Sequence, residues 1–324
     1  IGNHSFGSRF TDEFVEIFGE PRRKESALNP KYSDITFALQ HRLENIVNSL
    51  VKWLFNETGS KNLCLAGGVA MNCVMNGKLS QLECVKNIYV QPASSDNGVS
   101  LGAAQIINNR DGKIKNHKMD HAYWGPEFSE HEIIKALDES KLSYKKSKNI
   151  CLDVAKKIKD GKIVGWFQGR MEVGARALGN RSILANPLIN DMKDKINLEV
   201  KHRENWRPFC PSMKEEVYYK YMDASSESPY MIMAFPVREE FKSTIPAVVH
   251  VDGTARPQAV SKKYNPRFWS LLDEFENLTG HPILINSSFN VQGEPIVCTP
   301  SDALRTYGGT GLDVLAIGDY ILEK

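Results

Sequence analysis

Twice in the first third of this chain, a short apolar strand runs straight into a glycine turn and then a helix. That repeat restricts the fold more than any other feature. LCLA (63–66) leads into GGVAMN and a helix to about Leu79, and NIYVQP (87–92) leads into SSDNG and the small-residue helix GVSLGAAQII. Strand, turn and helix in alternation predict an α/β sheet. Upstream, residues 1–30 are rich in charge, Gly and Pro and predict irregular chain. From Ser33 the apolar residues Ile35, Leu39, Leu43, Ile46, Leu50 and Leu54 recur at helical spacing, so a helix is expected from a Ser33 or Asp34 cap to Gly59.

Residues 109–120 lack apolar periodicity and predict a linker. A second α/β unit follows: a helix behind a Ser129/Glu132 capping box, a helix over 151–159, and the strand KIVGWF (162–167). Further on come a helix over 264–279, the strand PILI (282–285), a helix after Pro300 and a last strand over 313–317. The expected division is therefore 1–115 and 116–324, in a chain of 324 residues, enough for two ordinary domains. Residue 1 is Ile rather than Met, so a piece that has lost its natural N-terminal part is expected.

Composition narrows the function classes. A formal charge of +2 argues against a strongly basic nucleic-acid surface. The six cysteines stand singly with no CxxC pair, which argues against a zinc site or a disulfide framework and suits a reducing cytoplasm. No apolar run reaches membrane-spanning length.

The segment VKHRENWRPFCPSM (200–213) concentrates Lys201, Arg203 and Arg207 around the single carboxylate Glu204, between Pro208 and Pro211. Unpaired buried cations are costly, so this knot asks for an anionic ligand. GRMEVGARALGNRSILANP (169–187) adds Arg170, Arg176 and Arg181 on what reads as a glycine-flexed loop, suited to forked phosphate contacts or to surface salt bridges. HVDGTARPQ (250–258) presents Arg256, either toward a ligand or as a charged turn residue. NSSFNVQGEPIV (286–297) offers Asn286, Ser288 and Asn290 as a hydrogen-bonding cup or as plain turn chemistry. Gly67–Gly68 and Asn72 fit a phosphate at a strand–helix turn, or a tight turn that holds no ligand. Asp96 fits a metal ligand or a helix cap, with His4 able to approach it in space. No nucleophile elbow, HExxH or paired-carboxylate pattern is present. The pattern points to anion holding and charge stabilisation in phosphoryl or adenylyl transfer.

The blocks LCLAGGVAMNCVMNGKL, QPASSDNGVSLGAA, GPEFSE, GARALGNRSILANP, KHRENWRPFCPS, HVDGTARPQ and LINSSFNVQGEPIV, in this order, resemble the O-carbamoyltransferase family of NodU, CmcH and TobZ. The resemblance implies the C-terminal part of an ASKHA-type (actin/hsp70-like) domain over 1–115 and a YrdC-like twisted α/β domain over 116–324. It implies that the YrdC-like domain makes carbamoyl-adenylate and pyrophosphate from carbamoyl phosphate and ATP with Mg2+. The ASKHA-type domain would then pass the carbamoyl group to a hydroxyl of a sugar or oligosaccharide, with Fe2+ or a similar metal. Carried over, Lys201, Arg207, Arg256 and Ser288 are the catalytic positions. Arg176, Arg181, Arg203, Asn286 and Asn290 bind substrate, Gly67, Gly68 and Asn72 bind nucleotide, and Asp96 binds metal. The family's HxxxH metal pair is absent from this sequence, so an incomplete or empty metal site is expected. A homodimer is compatible with the resemblance. The competing readings are a threonylcarbamoyl-adenylate synthase for tRNA modification and a non-catalytic RNA-binding YrdC-like module.

Overall fold

The computed structural model describes residues 11–22, 26, 28–110, 112 and 119–324. The chain divides into two compact units, Ile1–Lys61 and Asn62–Lys324. The first holds the helices Asp12–Phe18 and Pro30–Thr58. The longer helix starts earlier than its apolar periodicity alone suggests. Asn29 caps it by accepting from the Lys31 N–H, and Pro30 takes the first helical position, where no N–H is needed. Gly59 ends it in the left-handed conformation, at φ 65°.

The second unit carries two sheets that matter here. In the smaller, β1 (Asn62–Leu65) and β2 (Asn87–Val90) pair in parallel. After β1 the chain makes one 3-10 turn, Gly68–Met71, and then the helix Cys73–Leu79. After β2 comes the 3-10 turn Asp96–Gly98 and the helix Val99–Arg110. Both strand–turn–helix units expected from the sequence are present. Most of the proposed linker lies outside the described residues.

The larger sheet contains β3 (Lys145–Lys146), β4 (Val164–Phe167), β5 (Arg181–Ala185), β6 (Cys210–Lys214), β9 (Gln258–Val260), β10 (Ile283–Ser288), β11 (Val314–Ile317) and β12 (Tyr320–Glu323). Two short strands, β7 (Phe235–Pro236) and β8 (Thr254–Ala255), form a separate ribbon. The order across the large sheet is β3-β12-β11-β4-β5-β10-β6-β9. Only β11/β4 and β6/β9 are parallel; the other pairs are antiparallel. The protein is thus mixed α/β with an eight-stranded sheet.

Alternation along the strands sorts side chains to two cores, as the two-residue period of a strand requires. Ile183, Ile283, Ile285 and Leu315 face one layer, with the helices Met192–Ile196 and Pro300–Gly308. Val164, Trp166, Leu184, Leu284 and Val314 face the other, with Ile150–Lys159 and Pro266–Thr279. Three expectations change. RSILA (181–185) is not loop but the fully buried strand β5. The segment read as a proline-pinned knot ends in strand β6, with Pro211 opposite Ile285. The strand expected at 282–285 continues through Ser288, so Asn286 and Ser288 belong to β10 rather than to a cup beyond it.

Candidate anion-binding site

Four chain segments meet at one end of the large sheet. There β5, β6 and β9 begin and the antiparallel β10 ends. They enclose a cleft of ≈ 130 Å³ whose lining includes Arg176, Arg203, Cys210, Arg256, Asn286 and Ser288. Three guanidinium groups face it, and no carboxylate is among the described residues that line it.

The loop before β5 presents Arg176. A buried carboxylate underneath shapes that loop: Glu172 Oε1 accepts from the N–H of Leu178 at 2.6 Å and of Asn180 at 2.8 Å. Two glycines are obligatory there. Gly174 (φ 115°) would set a Cβ 2.6 Å from the Pro92 carbonyl oxygen, and Gly179 (φ 101°) one 2.1 Å from the Phe268 ring. Arg203 arrives from an unusual helix end. After Met192–Ile196 the helix widens into a π turn, Asn197–Lys201, and stops at His202 in the left-handed conformation, φ 49°. Such turns are uncommon and gather at functional sites. The turn drives Lys201 inward and swings Arg203 to the cleft, where its Nε donates to Asn197 Oδ1 at 2.7 Å and its guanidinium lies 4.8 Å from the Phe209 ring centre.

Arg256 enters just before β9. Its Nε donates to Cys210 Sγ at 3.2 Å, and Cys73 stands against the same guanidinium. Sulfur acceptors hold the group in place without supplying the full counter-charge of a carboxylate. Burial, and next Arg256, lower the pKa of Arg176. Burial followed by Arg207 does the same for Arg203. Charge therefore accumulates where an anion would sit.

The floor is a polar network on three neighbouring strands. Asn286 Nδ2 donates to Ser212 Oγ at 2.9 Å and Gln258 Oε1 at 3.1 Å, and Ser212 donates to Gln258 at 2.6 Å. Two buried atoms of the lining, Asn286 Oδ1 and Arg176 Nε, have no hydrogen-bond partner. Unsatisfied buried polar atoms are rare, because each costs about 1–3 kcal/mol. One acceptor and one donor left open in a cationic cleft fit a ligand that carries both an anionic oxygen and a donor.

Other residues singled out from the sequence lie elsewhere. Lys201 is buried, and its ammonium donates to the Ser288 carbonyl, the Asn290 carbonyl and Asn290 Oδ1, the last two at 2.9 Å. It ties down the end of β10 instead of lining the cleft, and burial, followed by Arg203, pushes its pKa down to about 7. Arg207 turns to Glu204 at 2.9 Å and is not part of the lining. Arg181 is fully buried, donates to the carbonyls of Gln168, Gly169, Asn180 and Pro126, and stacks 3.7 Å from the Phe167 ring centre. Its guanidinium holds backbone together and does not reach the cleft. Glu172, Ser212, Gln258, Cys210 and Cys73 were missed. Their only sequence signal is membership of the glycine- and arginine-rich blocks.

The glycine turn has a different character. The Gly67 N–H donates to the Ser94 carbonyl at 2.6 Å, and Asn72 caps the helix Cys73–Leu79 by accepting from Met75 N–H. Asp96 is exposed and opens a 3-10 turn. No group of three or more metal-binding side chains occurs among the described residues, and His4 lies outside them. No described helix is long and apolar enough to cross a membrane.

Two family descriptions match this chain: the carbamoyltransferase C-terminus over residues 155–324 and the carbamoyltransferase N-terminus over 5–105. It is 42% identical to nodulation protein NolNO of Sinorhizobium fredii, over 94% of this chain and 46% of that protein. It is 40% identical to nodulation protein NolO of Bradyrhizobium diazoefficiens, over 94% of this chain and 57% of that protein. Nodulation protein U of Rhizobium fredii is 34% identical over 78% of this chain and 43% of that protein. The chain spans about half the length of these curated relatives.

Proposed function

Since the chain belongs to the carbamoyltransferase family, we propose that the end of its large sheet is the carbamoyl phosphate site of an O-carbamoyltransferase. The observation that carries this reading is the cleft with three arginines, no carboxylate among its described lining residues and two unsatisfied atoms. Carbamoyl phosphate matches it: phosphate oxygens for the guanidinium groups, and an amide donor for Asn286 Oδ1. Charge-assisted contacts of this kind are about twice as strong as neutral ones, and arginine holds phosphate in a planar fork.

In this reading the chain, with ATP as second substrate, makes carbamoyl-adenylate. Water takes the phosphoryl group of carbamoyl phosphate, and inorganic phosphate leaves. A carbamate oxygen then attacks the α-phosphorus of ATP and pyrophosphate departs. Arg176, Arg203 and Arg256 neutralise the charge that would keep the two substrates apart, and Ser288 and Asn286 orient the carbamate. Exclusion of bulk water protects it. Mg2+ would be carried by the ATP phosphates. In the relatives' full length, an ASKHA-type part would transfer the carbamoyl group to a hydroxyl-bearing sugar or oligosaccharide. In the finer fold description, residues 116–324 would be the YrdC-like domain.

The test is isotope exchange between pyrophosphate and ATP. Exchange should require carbamoyl phosphate and collapse in Arg176→Gln. Exchange indifferent to carbamoyl phosphate, or driven by threonine and bicarbonate, would overturn the proposal.

A further inference from the structure

Tyr230, Met231 and Ile232 form a partition within the second unit. Met231 lines the arginine cleft, whereas Tyr230 and Ile232 line a different cavity of ≈ 320 Å³. Met231 sits in the left-handed conformation, φ 56°, which is uncommon outside glycine and gathers at sites under constraint. The two cavities share no described lining residue.

The cavity behind the partition is walled by β2, by the chain at Met119 and Asp120, and by Glu215, Ser261 and Tyr264 from the large-sheet side. Its volume is ordinary for a small-molecule site. Ile88, Val90, Ile232 and Met233 make much of its surface apolar. Tyr89, Tyr230 and Tyr264 line it as well, and their hydroxyls are already engaged. Tyr230 donates to the Met119 carbonyl at 2.6 Å, Tyr89 to Met119 Sδ at 3.5 Å, and the Tyr264 oxygen accepts from Lys263 at 3.1 Å. What these side chains leave for a ligand is ring rather than hydroxyl. Lys263 lies over the Tyr264 ring, 4.8 Å from its centre. The rings of Tyr89 and Tyr230 carry no such cation among the described residues.

The charge of the lining is the reverse of the arginine cleft. Asp120, Glu215 and Glu227 line the cavity, and no lysine, arginine or histidine is among its described lining residues. Glu215 accepts from Ser261 Oγ at 3.0 Å, a neutral partner. Burial, and next Glu215, raise the pKa of Glu227, as two carboxylates do when no cation stands between them. Carboxylates beside low-dielectric walls focus a negative field, and the faces of aromatic rings attract cations in the same way. The three carboxylates do not form a group that could hold a metal ion. We infer that this cavity binds an organic cation, a protonated or quaternary amine on a small apolar body. The amine answers the carboxylates and the free tyrosine rings, and the apolar body fills the surface that a hydrated ion would leave uncovered. Nothing in this inference depends on what the arginine cleft binds.

Choline and its neutral isostere 3,3-dimethylbutan-1-ol, titrated separately into the whole chain by calorimetry, test it. The two probes share a shape and differ by one charge. Choline should bind more tightly by about tenfold or more. Glu227→Gln, a change at an exposed position, should cut that preference by about threefold or more. Tyr89→Leu, which keeps apolar bulk on β2 but removes the ring, should do the same. Glu57→Gln, an exposed carboxylate of the first unit, should leave choline affinity unchanged. In the wild type, nuclear Overhauser contacts should join the choline methyl protons to tyrosine ring protons, a readout independent of any variant. Equal affinities for the two probes, no binding of choline, or a preference that survives both Glu227→Gln and Tyr89→Leu would overturn the assignment. So would an equal loss in Glu57→Gln, which would reduce the effect to general attraction by acidic surface.

Discussion

The arginine cleft and the Gly67–Asn72 turn both consist of residues whose chemistry suits a phosphate, but the fold treats them in opposite ways. At the turn, the Gly67 N–H donates to the Ser94 carbonyl and the Asn72 side chain caps a helix. At the cleft, charges are brought together against their mutual repulsion, and a donor and an acceptor are left open. A folded chain tolerates that cost where a ligand later relieves it. The contrast separates residues whose polar groups are used within the fold from residues whose polar groups are left open, although both groups look alike in sequence.

The largest expected effect is on the cleft side. Arg256→Gln keeps a hydrogen-bonding side chain but removes a charge, and a charged hydrogen bond contributes about 1.5–3 kcal/mol. Carbamoyl phosphate affinity, read by calorimetry, should fall about a hundredfold. A change under threefold would remove the distinction between cleft and turn.

A second effect, read through pH, concerns the buried lysine that ties down the end of β10. Lys201 has a folded pKa near 7, against an unfolded value near 10.5. The unfolded lysine therefore binds more protons across that window, so stability rises with pH between about 7 and 10.5. The contribution is lost as pH falls through 7. Its slope is at most about 1.4 kcal/mol per pH unit. Urea unfolding across that range should display the slope in the wild type and lose it in Lys201→Met; identical slopes would show that the lysine is not held as described.

The smallest effect belongs to the turn. Asn72→Ala should cost about 1 kcal/mol of stability through the lost cap. It should leave carbamoyl phosphate affinity unchanged. Weakened binding without destabilisation would mean that the turn serves a ligand after all.

Much of this is legible in the sequence, and what is not shares a physical cause. Strand–glycine–helix alternation and the capping box are local signals, and both held. Residue type singles out Arg176, Arg203, Arg256, Asn286 and Ser288, and the sheet brings all five together. Residue type could not say where Lys201, Arg181 and Arg207 point. That depends on a π turn, on carbonyls of distant segments and on one nearby carboxylate. β6 was hidden by its proline, which the sequence presents as a strand breaker. Ser212 and Gln258 became visible only when the parallel register of β6 and β9 set them side by side.

The most direct measurement is a crystal structure of the whole chain soaked with carbamoyl phosphate. The account predicts the phosphate in the cleft, contacting Arg203 and Arg256, with the amide on Asn286 Oδ1 and Arg176 Nε engaged. A phosphate seated instead on the Gly67–Gly68 turn, with Arg176 Nε and Asn286 Oδ1 still unpartnered, would contradict it.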